Sequence, residues 1–274
     1  MYCFDPTFGT SSPGLLGAYR VPECVGDDLF DLIGAGVERP DYRWLLVGGP
    51  RTGQTWHTDP NSTSAWNLTL RGRKRWLFFP PGTTPPGVLP TLDGDGDNYR
   101  APVGVDAWAR AGFYEDAARR DDFYECDAGP GDVVFVPRNW WHMVVNTGAD
   151  GATVAVSHHF CSPAGLPAVL RRLRETPEQV SGVDRRLAAD RHDDGGGGGR
   201  AAKRRRVADD LAKRRAAGEA LLGALVAAVA ASRPAVLAAA EATLAAEDEK
   251  RKRRATAWSA LAAPAERGFA FNFA

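Results

Sequence analysis

From Tyr42 to about Phe160 the chain is written in short runs, YRWLLVGG, SAWNLTL, KRWLFFP, GDVVFVP, HMVVN and TVAVSHHF, each closed off by Gly, Pro or Asn. Runs of that length and punctuation make strands and turns rather than helices. A β-rich core is therefore expected. Between Pro81 and Cys126 a long stretch rich in Pro, Gly and Asp interrupts the strands. It is too long for a structureless loop unless it covers something, and it reads as a lid or substrate loop.

Near residue 164 the composition turns to Leu, Arg, Glu and Ala, and Gly195–Gly199 mark a flexible break. Two alanine-rich stretches follow, at about 202–231 and 235–261, separated by Ser232-Arg233-Pro234, a fit for an interhelical turn. Leu221, Leu222, Leu225, Val226, Val236, Leu237 and Leu244 are available to the apolar faces of this hairpin. The expected organisation is a β-domain over 1–163, a helical extension over 164–194, a Gly-rich linker over 195–200 and a basic helical hairpin over 201–262. With few contacts crossing the linker, a cut after Asp194 is expected to leave a folded core.

The net charge is zero, but it is unevenly spread. Residues 1–163 carry 13 Lys and Arg against 20 Asp and Glu, leaving 21 against 14 for residues 164–274. An acidic first part draws cationic substrates, and a basic tail suits nucleic acid or an import receptor. Cys3, Cys24, Cys126 and Cys161 show neither paired nor zinc-site spacing, which fits a reducing compartment. No run of about eighteen uncharged apolar residues occurs and the first residues lack a signal-peptide pattern, so a soluble, intracellular protein without membrane attachment is expected.

His57 and Asp59 are two residues apart, so on a strand both point to one face. A second strand pair, GDVVFVPRNWWHMVVN, turns tightly before His142 and aims it inward. Two imidazoles and one carboxylate on one side of a metal leave three adjacent positions open, as non-haem Fe(II) oxygenases require. His158 and His159 are competitors. Alternation puts His159 on the face of Ser157, near the site, but a fourth ligand would block the open positions, and both histidines are read as structural.

A metal alone does not separate an oxygenase from a cupin isomerase or a zinc hydrolase. A hairpin turning at Arg71-Gly72 would pair Thr69 with Lys74 and Asn67 with Trp76 and put all four on one face. Alternation along the next strand also sends Lys74, Trp76 and Phe78 one way and Leu77 and Phe79 the other. A lysine buried among aromatics is costly unless an anion meets it, so Lys74 is the candidate to hold a carboxylate. The plainer alternative is a lysine that reaches solvent beside its arginine neighbours.

GPRTGQTWHTDPNSTSAWNLTLRGRKRWLFFPPG and GPGDVVFVPRNWWHMVVN resemble the Jumonji-C 2-oxoglutarate oxygenases, nearest the branch that combines arginine demethylation with lysyl hydroxylation. The likeness runs from about Tyr2 to Phe160. It implies a double-stranded β-helix (jelly-roll, cupin-like) in which His57, Asp59 and His142 ligate Fe(II) and Lys74 anchors the distal carboxylate of 2-oxoglutarate. It further implies Asn67, Ser157 and Tyr2 on the cosubstrate side and Trp44 at the substrate entrance. Ser157 stands where the family has a threonine. The family carries further residues before Tyr2, so a longer parent chain is expected, and the likeness fades in the 81–126 insert and the tail.

What the resemblance implies is hydroxylation of a protein substrate with O2, ascorbate serving as reductant in vitro. Lysine C5 of Lys/Arg-rich nuclear proteins is the first choice and N-methyl arginine or lysine the second. A non-catalytic cupin-like binding or chromatin scaffold module is the alternative of another class. Asp93-Gly94-Asp95-Gly96-Asp97-Asn98 lacks a Glu at the twelfth loop position, where Gly104 stands, and is not a calcium site. The runs Lys203–Arg206 and Lys250–Arg254 suit nuclear import and RNA or chromatin contact. The C-terminal helices are a candidate homodimer surface.

Overall fold

The computed structural model describes residues 2–33, 37, 39–90, 99–149, 151–183 and 200–262. Residues 93–98 and 195–199, discussed above, lie outside them. Strands β1 (Tyr2–Asp5), β2 (Arg43–Gly48), β3 (Gly53–His57), β4 (Ser64–Arg71) and β5 (Lys74–Phe79) come first. A small pair β6 (Leu89–Pro90) and β7 (Tyr99–Arg100) and helices α1 (Phe8–Ser11), α2 (Val105–Arg110) and α3 (Phe113–Ala118) stand around them. Then follow β8 (Tyr124–Ala128), β9 (Val133–Val136), β10 (Trp141–Asn146) and β11 (Thr153–Phe160).

These strands make a five-stranded sheet, β1-β2-β11-β4-β9, and a four-stranded sheet, β3-β10-β5-β8, antiparallel throughout. Ala65 and Val136 of the first meet Trp76, Phe78, Ala128 and Val144 of the second in one buried cluster, so the sheets face each other. This is the jelly-roll expected from the sequence.

One register differs from expectation. β4 and β5 do not pair as a hairpin: β4 lies between β11 and β9, and β5 between β10 and β8. A two-residue hairpin turn of the favoured kind needs left-handed backbone at both central positions, or at the first. Only Gly72 adopts it, with φ 81°. The chain instead rounds a corner from one sheet to the other, and Gly72 passes so close to Thr153 that a Cβ would lie 2.5 Å from its hydroxyl oxygen. Asn67, Thr69, Lys74 and Trp76 are all buried nonetheless. They face each other across the barrel rather than along one sheet.

The outer faces are covered as well. Val88, together with Val105 and Trp108 of α2 and Ala117 of α3, packs on Trp56, Leu77, Phe79, Trp141 and Met143. Trp108 is pinned by its indole N–H, which donates to the Pro86 carbonyl at 2.7 Å. The described part of the 81–126 insert, read from its length as a lid or substrate loop, thus packs as a wall behind the four-stranded sheet; residues 91–98 lie outside the described residues. Phe8, Leu16, Tyr19 and Val25 cover Trp66, Val156 and Phe160 on the other sheet.

Helices α4 (Leu166–Glu175), α5 (Arg200–Ser232) and α6 (Pro234–Ala262) follow in the described residues. Leu166, Val169, Leu170 and Leu173 of α4 meet Leu221, Leu225 and Val229 of α5, Ala240 and Leu244 of α6, and Leu29 and Phe30 of the N-terminal segment. The four-residue spacing on α5 puts its apolar side chains on one stripe. By length and composition alone Ala208–Ser232 could cross a membrane. Its stripe is instead buried in the chain's own core. Gly218 brings α5 against the extension, where a Cβ would stand 2.2 Å from the Pro177 carbonyl oxygen.

Candidate metal centre

His57 and His142 are opposite one another in the β3–β10 ladder, with ring centroids 4.0 Å apart. Each ring is aimed by a carbonyl two residues earlier: Nδ1 of His57 donates to Thr55 O at 2.7 Å, and Nδ1 of His142 to Trp140 O at 3.1 Å. Those bonds fix the tautomer and leave both Nε2 lone pairs for a ligand. Asp59 follows at the end of β3. One ligand atom each from His57, Asp59 and His142 falls within 4.8 Å of the others.

The electrostatics favour a cation. Burial, reinforced by His142, lowers the His57 pKa to about 4, so this imidazole is neutral at pH 7. Burial alone would raise the Asp59 carboxyl, but His159, His142 and His57 outweigh it and hold the group well below the usual carboxylate range. Asp59 Oδ2 is buried without a hydrogen-bond partner. An ionised carboxylate oxygen in that position is costly until something positive meets it. The donor set, two nitrogens and one oxygen with a charge of −1, suits a divalent transition metal with open positions.

His159 lies beside this trio. Its Nε2 is 3.1 Å from Asp59 Oδ1, and its ring lies 4.2 Å from that of Trp44. It holds the carboxylate from behind and is not one of the ligand trio. Trp44, proposed at a substrate entrance, is only 6% exposed and also stacks on Phe4 at 5.5 Å. His158 points the other way, hydrogen-bonded to the Tyr19 hydroxyl at 2.7 Å and stacked near Trp66 at 4.4 Å. Its place is in the outer packing.

Further into the barrel Lys74 is 2% exposed; its ammonium faces the Trp76 ring at 5.8 Å and has no hydrogen bond or ion pair among the described residues. Burial lowers its pKa to about 8. Around the same interior Tyr2 OH, Asn67 Oδ1, Thr69 Oγ1, Trp76 Nε1 and Asn146 Oδ1 are also buried without partners. Such orphans are rare in a folded chain unless a ligand or water completes them. Burial, aided by Cys3, pushes Tyr2 up to about 12, so its hydroxyl stays a donor.

Ser157 pairs with Asn67 across β4–β11, but its hydroxyl donates to Trp66 O at 3.1 Å. Two residues without an assigned role in the sequence join the set. Asn146 lies opposite Lys74 and donates from Nδ2 to Thr52 Oγ1 at 3.1 Å. Even spacing from His142 on one strand was the available signal for Asn146. Thr52 had none, because it lies in a turn. Both crowd Gly48, where a Cβ would come within 2.4 Å of Thr52 Oγ1 and 2.6 Å of the Tyr2 ring.

Residues 21–165 match the family described as cupin-like domain. The arginine-specific demethylase JMJ22 of Arabidopsis thaliana is 40% identical over 185 residues, 66% of this chain and 35% of that protein. The bifunctional arginine demethylase and lysyl-hydroxylase psr-1 of Caenorhabditis briggsae is 35% identical over 198 residues, 70% of this chain and 48% of its own length. The 2-oxoglutarate and iron-dependent oxygenase JMJD4 of Danio rerio is 25% identical over 170 residues, 62% and 37% of the two chains. This chain therefore spans between a third and a half of these relatives. The cupin domain of Drosophila melanogaster CENP-C aligns over 45% of this chain and 64% of its own at 8% identity, with a TM-score of 0.27, too low to bear on the fold.

Proposed function

The chain belongs to the cupin-like domain family, and on that premise we propose that it is an Fe(II)- and 2-oxoglutarate-dependent oxygenase that hydroxylates lysine side chains, at C5, in Lys/Arg-rich nuclear proteins. The observation that carries this reading is Lys74, a buried ammonium that faces the Trp76 ring at 5.8 Å and has no anionic partner among the described residues, in the same interior as an inward-facing trio of metal-binding side chains. A compact dicarboxylate that chelates a metal at one end and needs a cation at the other meets both demands.

His57, Asp59 and His142 would hold Fe(II) from one side. When bound, iron and 2-oxoglutarate supply the oxidation, in which one atom of O2 enters a substrate C–H bond as hydroxyl, the other enters succinate, and CO2 leaves. Lys74 pairs with the carboxylate remote from the metal. Thr69 and Tyr2 have hydroxyls free to orient it, and Trp76 and Phe78 exclude water from the pair. His159 restrains Asp59 Oδ1 and leaves Oδ2 free to reach the metal.

A second reading, removal of an N-methyl group from arginine by hydroxylation of the methyl carbon, is favoured by the names of JMJ22 and psr-1. It uses the same residues and differs only in which carbon is held near the metal. The basic run at residues 250–254 is exposed at the end of α6, which supports nuclear import and contact with RNA or chromatin. Dimerisation through the C-terminal helices is a further part of this proposal.

The test is a titration of the anaerobic Fe(II) protein with 2-oxoglutarate, followed by its charge-transfer absorbance. Lys74→Ala is expected to weaken the cosubstrate by about 2–5 kcal/mol, roughly 30-fold to several thousand-fold, with iron binding intact. His57→Ala should lose iron and turnover together. Unchanged midpoints in Lys74→Ala would remove the 2-oxoglutarate reading. Mass spectrometry of a Lys/Arg-rich peptide then separates the products: an added oxygen on lysine from a lost methyl group on arginine. Tight binding of both ligands without either product would leave a binding module.

A further inference from the structure

We propose that Asn61 is a positioning residue for the metal centre: it clamps the loop that carries Asp59 to a strap of the C-terminal extension, so that the helical tail helps to set the aim of the metal-binding carboxylate. The inference rests on the reading of His57, Asp59 and His142 as metal ligands.

After Asp59 the chain passes through Pro60 into two consecutive left-handed residues that are not glycine, Asn61 with φ 58° and Ser62 with φ 55°. Each such residue costs about 1 kcal/mol or more and persists only where its surroundings hold it. Asn61 is 4% exposed, and both ends of its amide are used on one residue. Its Nδ2 donates to the Ser181 carbonyl at 2.9 Å, and its Oδ1 accepts the Ser181 N–H at 2.9 Å. The pair copies the two bonds a neighbouring strand would make, and it reads only the backbone of residue 181. From the other side Thr63 closes the loop, its hydroxyl donating to Pro60 O at 2.8 Å.

Ser181 is itself held at several points. Val180 before it belongs to the cluster of Leu173, Leu221 and Leu225, so it is fixed by the helical core. Gly182 after it accepts from the Asp41 N–H at 2.8 Å, which ties the strap to the barrel. Pro177 abuts Gly218 of α5 with no room for a Cβ. The strap thus takes its position from the tail and passes it on through Asn61. Only Pro60, with its fixed φ, stands between Asn61 and Asp59, so little of a displacement can be absorbed on the way. Asp59 has one oxygen held by His159 and the other without a partner, and a shift of its backbone changes where that second oxygen points.

The experiment compares metal binding in four full-length variants with that of the wild type. Asn61→Gly accepts the left-handed backbone and removes the clamp. It is expected to weaken Fe(II) and Co(II), measured by chelator competition, by about tenfold or more and to move the visible absorption bands of the Co(II) protein. Ser181→Pro deletes the N–H that Asn61 accepts and should give a similar loss, whereas Ser181→Ala leaves the clamp intact and should bind as the wild type does. In the double variant Asn61→Gly with Ser181→Pro the losses should not add, because both break one interaction. An Asn61→Gly protein that melts earlier yet binds Co(II) within about twofold of wild type, with unchanged bands, would show a purely structural role and overturn the proposal; so would additive losses. Should Asn61→Gly not be recovered folded, Ser181→Pro read against Ser181→Ala decides by the same affinity and spectrum. A wild-type chain that takes up neither metal breaks the metal-centre reading instead.

Discussion

The space between the two sheets and the space between α4, α5 and α6 are both lined largely by buried side chains, but of opposite kinds. The barrel interior holds Tyr2, Asn67, Thr69, Lys74, Trp76 and Asn146, most with a polar atom left unbonded. The helical core holds Leu166, Leu170, Leu173, Leu221, Leu225 and Val229, and the one unbonded buried polar side-chain atom near it among the described residues is Arg39 Nε, at its edge over Phe30. Burying polar groups without partners costs free energy, whereas each large aliphatic side chain taken from water contributes about 1.5–3 kcal/mol. One region stabilises the fold, and the other is kept ready for a ligand at the expense of stability.

The largest expected effect comes from removing the stabilising region. Cutting the chain after Asp194 strips α5 and α6 from Leu166, Val169, Leu170 and Leu173, each at most 1% exposed. The loss of several such contacts is comparable to the roughly 5–15 kcal/mol that holds a whole domain folded. The fragment is expected to be insoluble or to lack a cooperative melt, contrary to the independent core expected from the Gly-rich break. A soluble 1–194 fragment with a sharp melt and wild-type Fe(II) binding would show that the two regions are separable.

A smaller effect of opposite sign is expected inside the barrel. Lys74→Met removes the unpaired ammonium, so without ligand the variant should melt above the wild type, while 2-oxoglutarate should no longer raise its melting temperature. Burial lowers the Lys74 pKa from 10.5 to about 8. Between those values the unfolded chain binds the extra proton, so the wild-type deficit is full below pH 8 and is relieved as pH rises toward 10.5. In free energy the deficit is about 3 kcal/mol. Thermal melts of both proteins at about pH 7 and about pH 10 check the sign. A gap that does not narrow would mean that Lys74 is paired or hydrated in the free protein, and the contrast between the two regions would weaken.

The smallest effect is expected at Ser157. Its hydroxyl is already committed to the Trp66 carbonyl, so Ser157→Ala should cost about 1 kcal/mol or less in 2-oxoglutarate affinity. A larger loss in the titration would show that the hydroxyl turns inward to the cosubstrate when it binds.

What the sequence determined by itself was local. The spacing of His57, Asp59 and His142, the alternation that sends Lys74, Trp76 and Phe78 inward, and the helix break at Ser232-Arg233-Pro234 each depend on one stretch of backbone and its period. The structure keeps all three. Only the tertiary structure decided what lies across from what. Which sheet receives β4 and which β5, that the described part of the 81–126 insert backs the barrel, and that the tail shares a core with α4 are set by contacts between distant segments. The partners of the site belong to the same class: Thr52 beside Asn146, His159 behind Asp59 and Ser181 beneath Asn61 are joined by hydrogen bonds whose sequence separation carries no periodic signal. Side-chain direction follows from a strand's own pleat, but choice of neighbour follows from the packing of the whole chain.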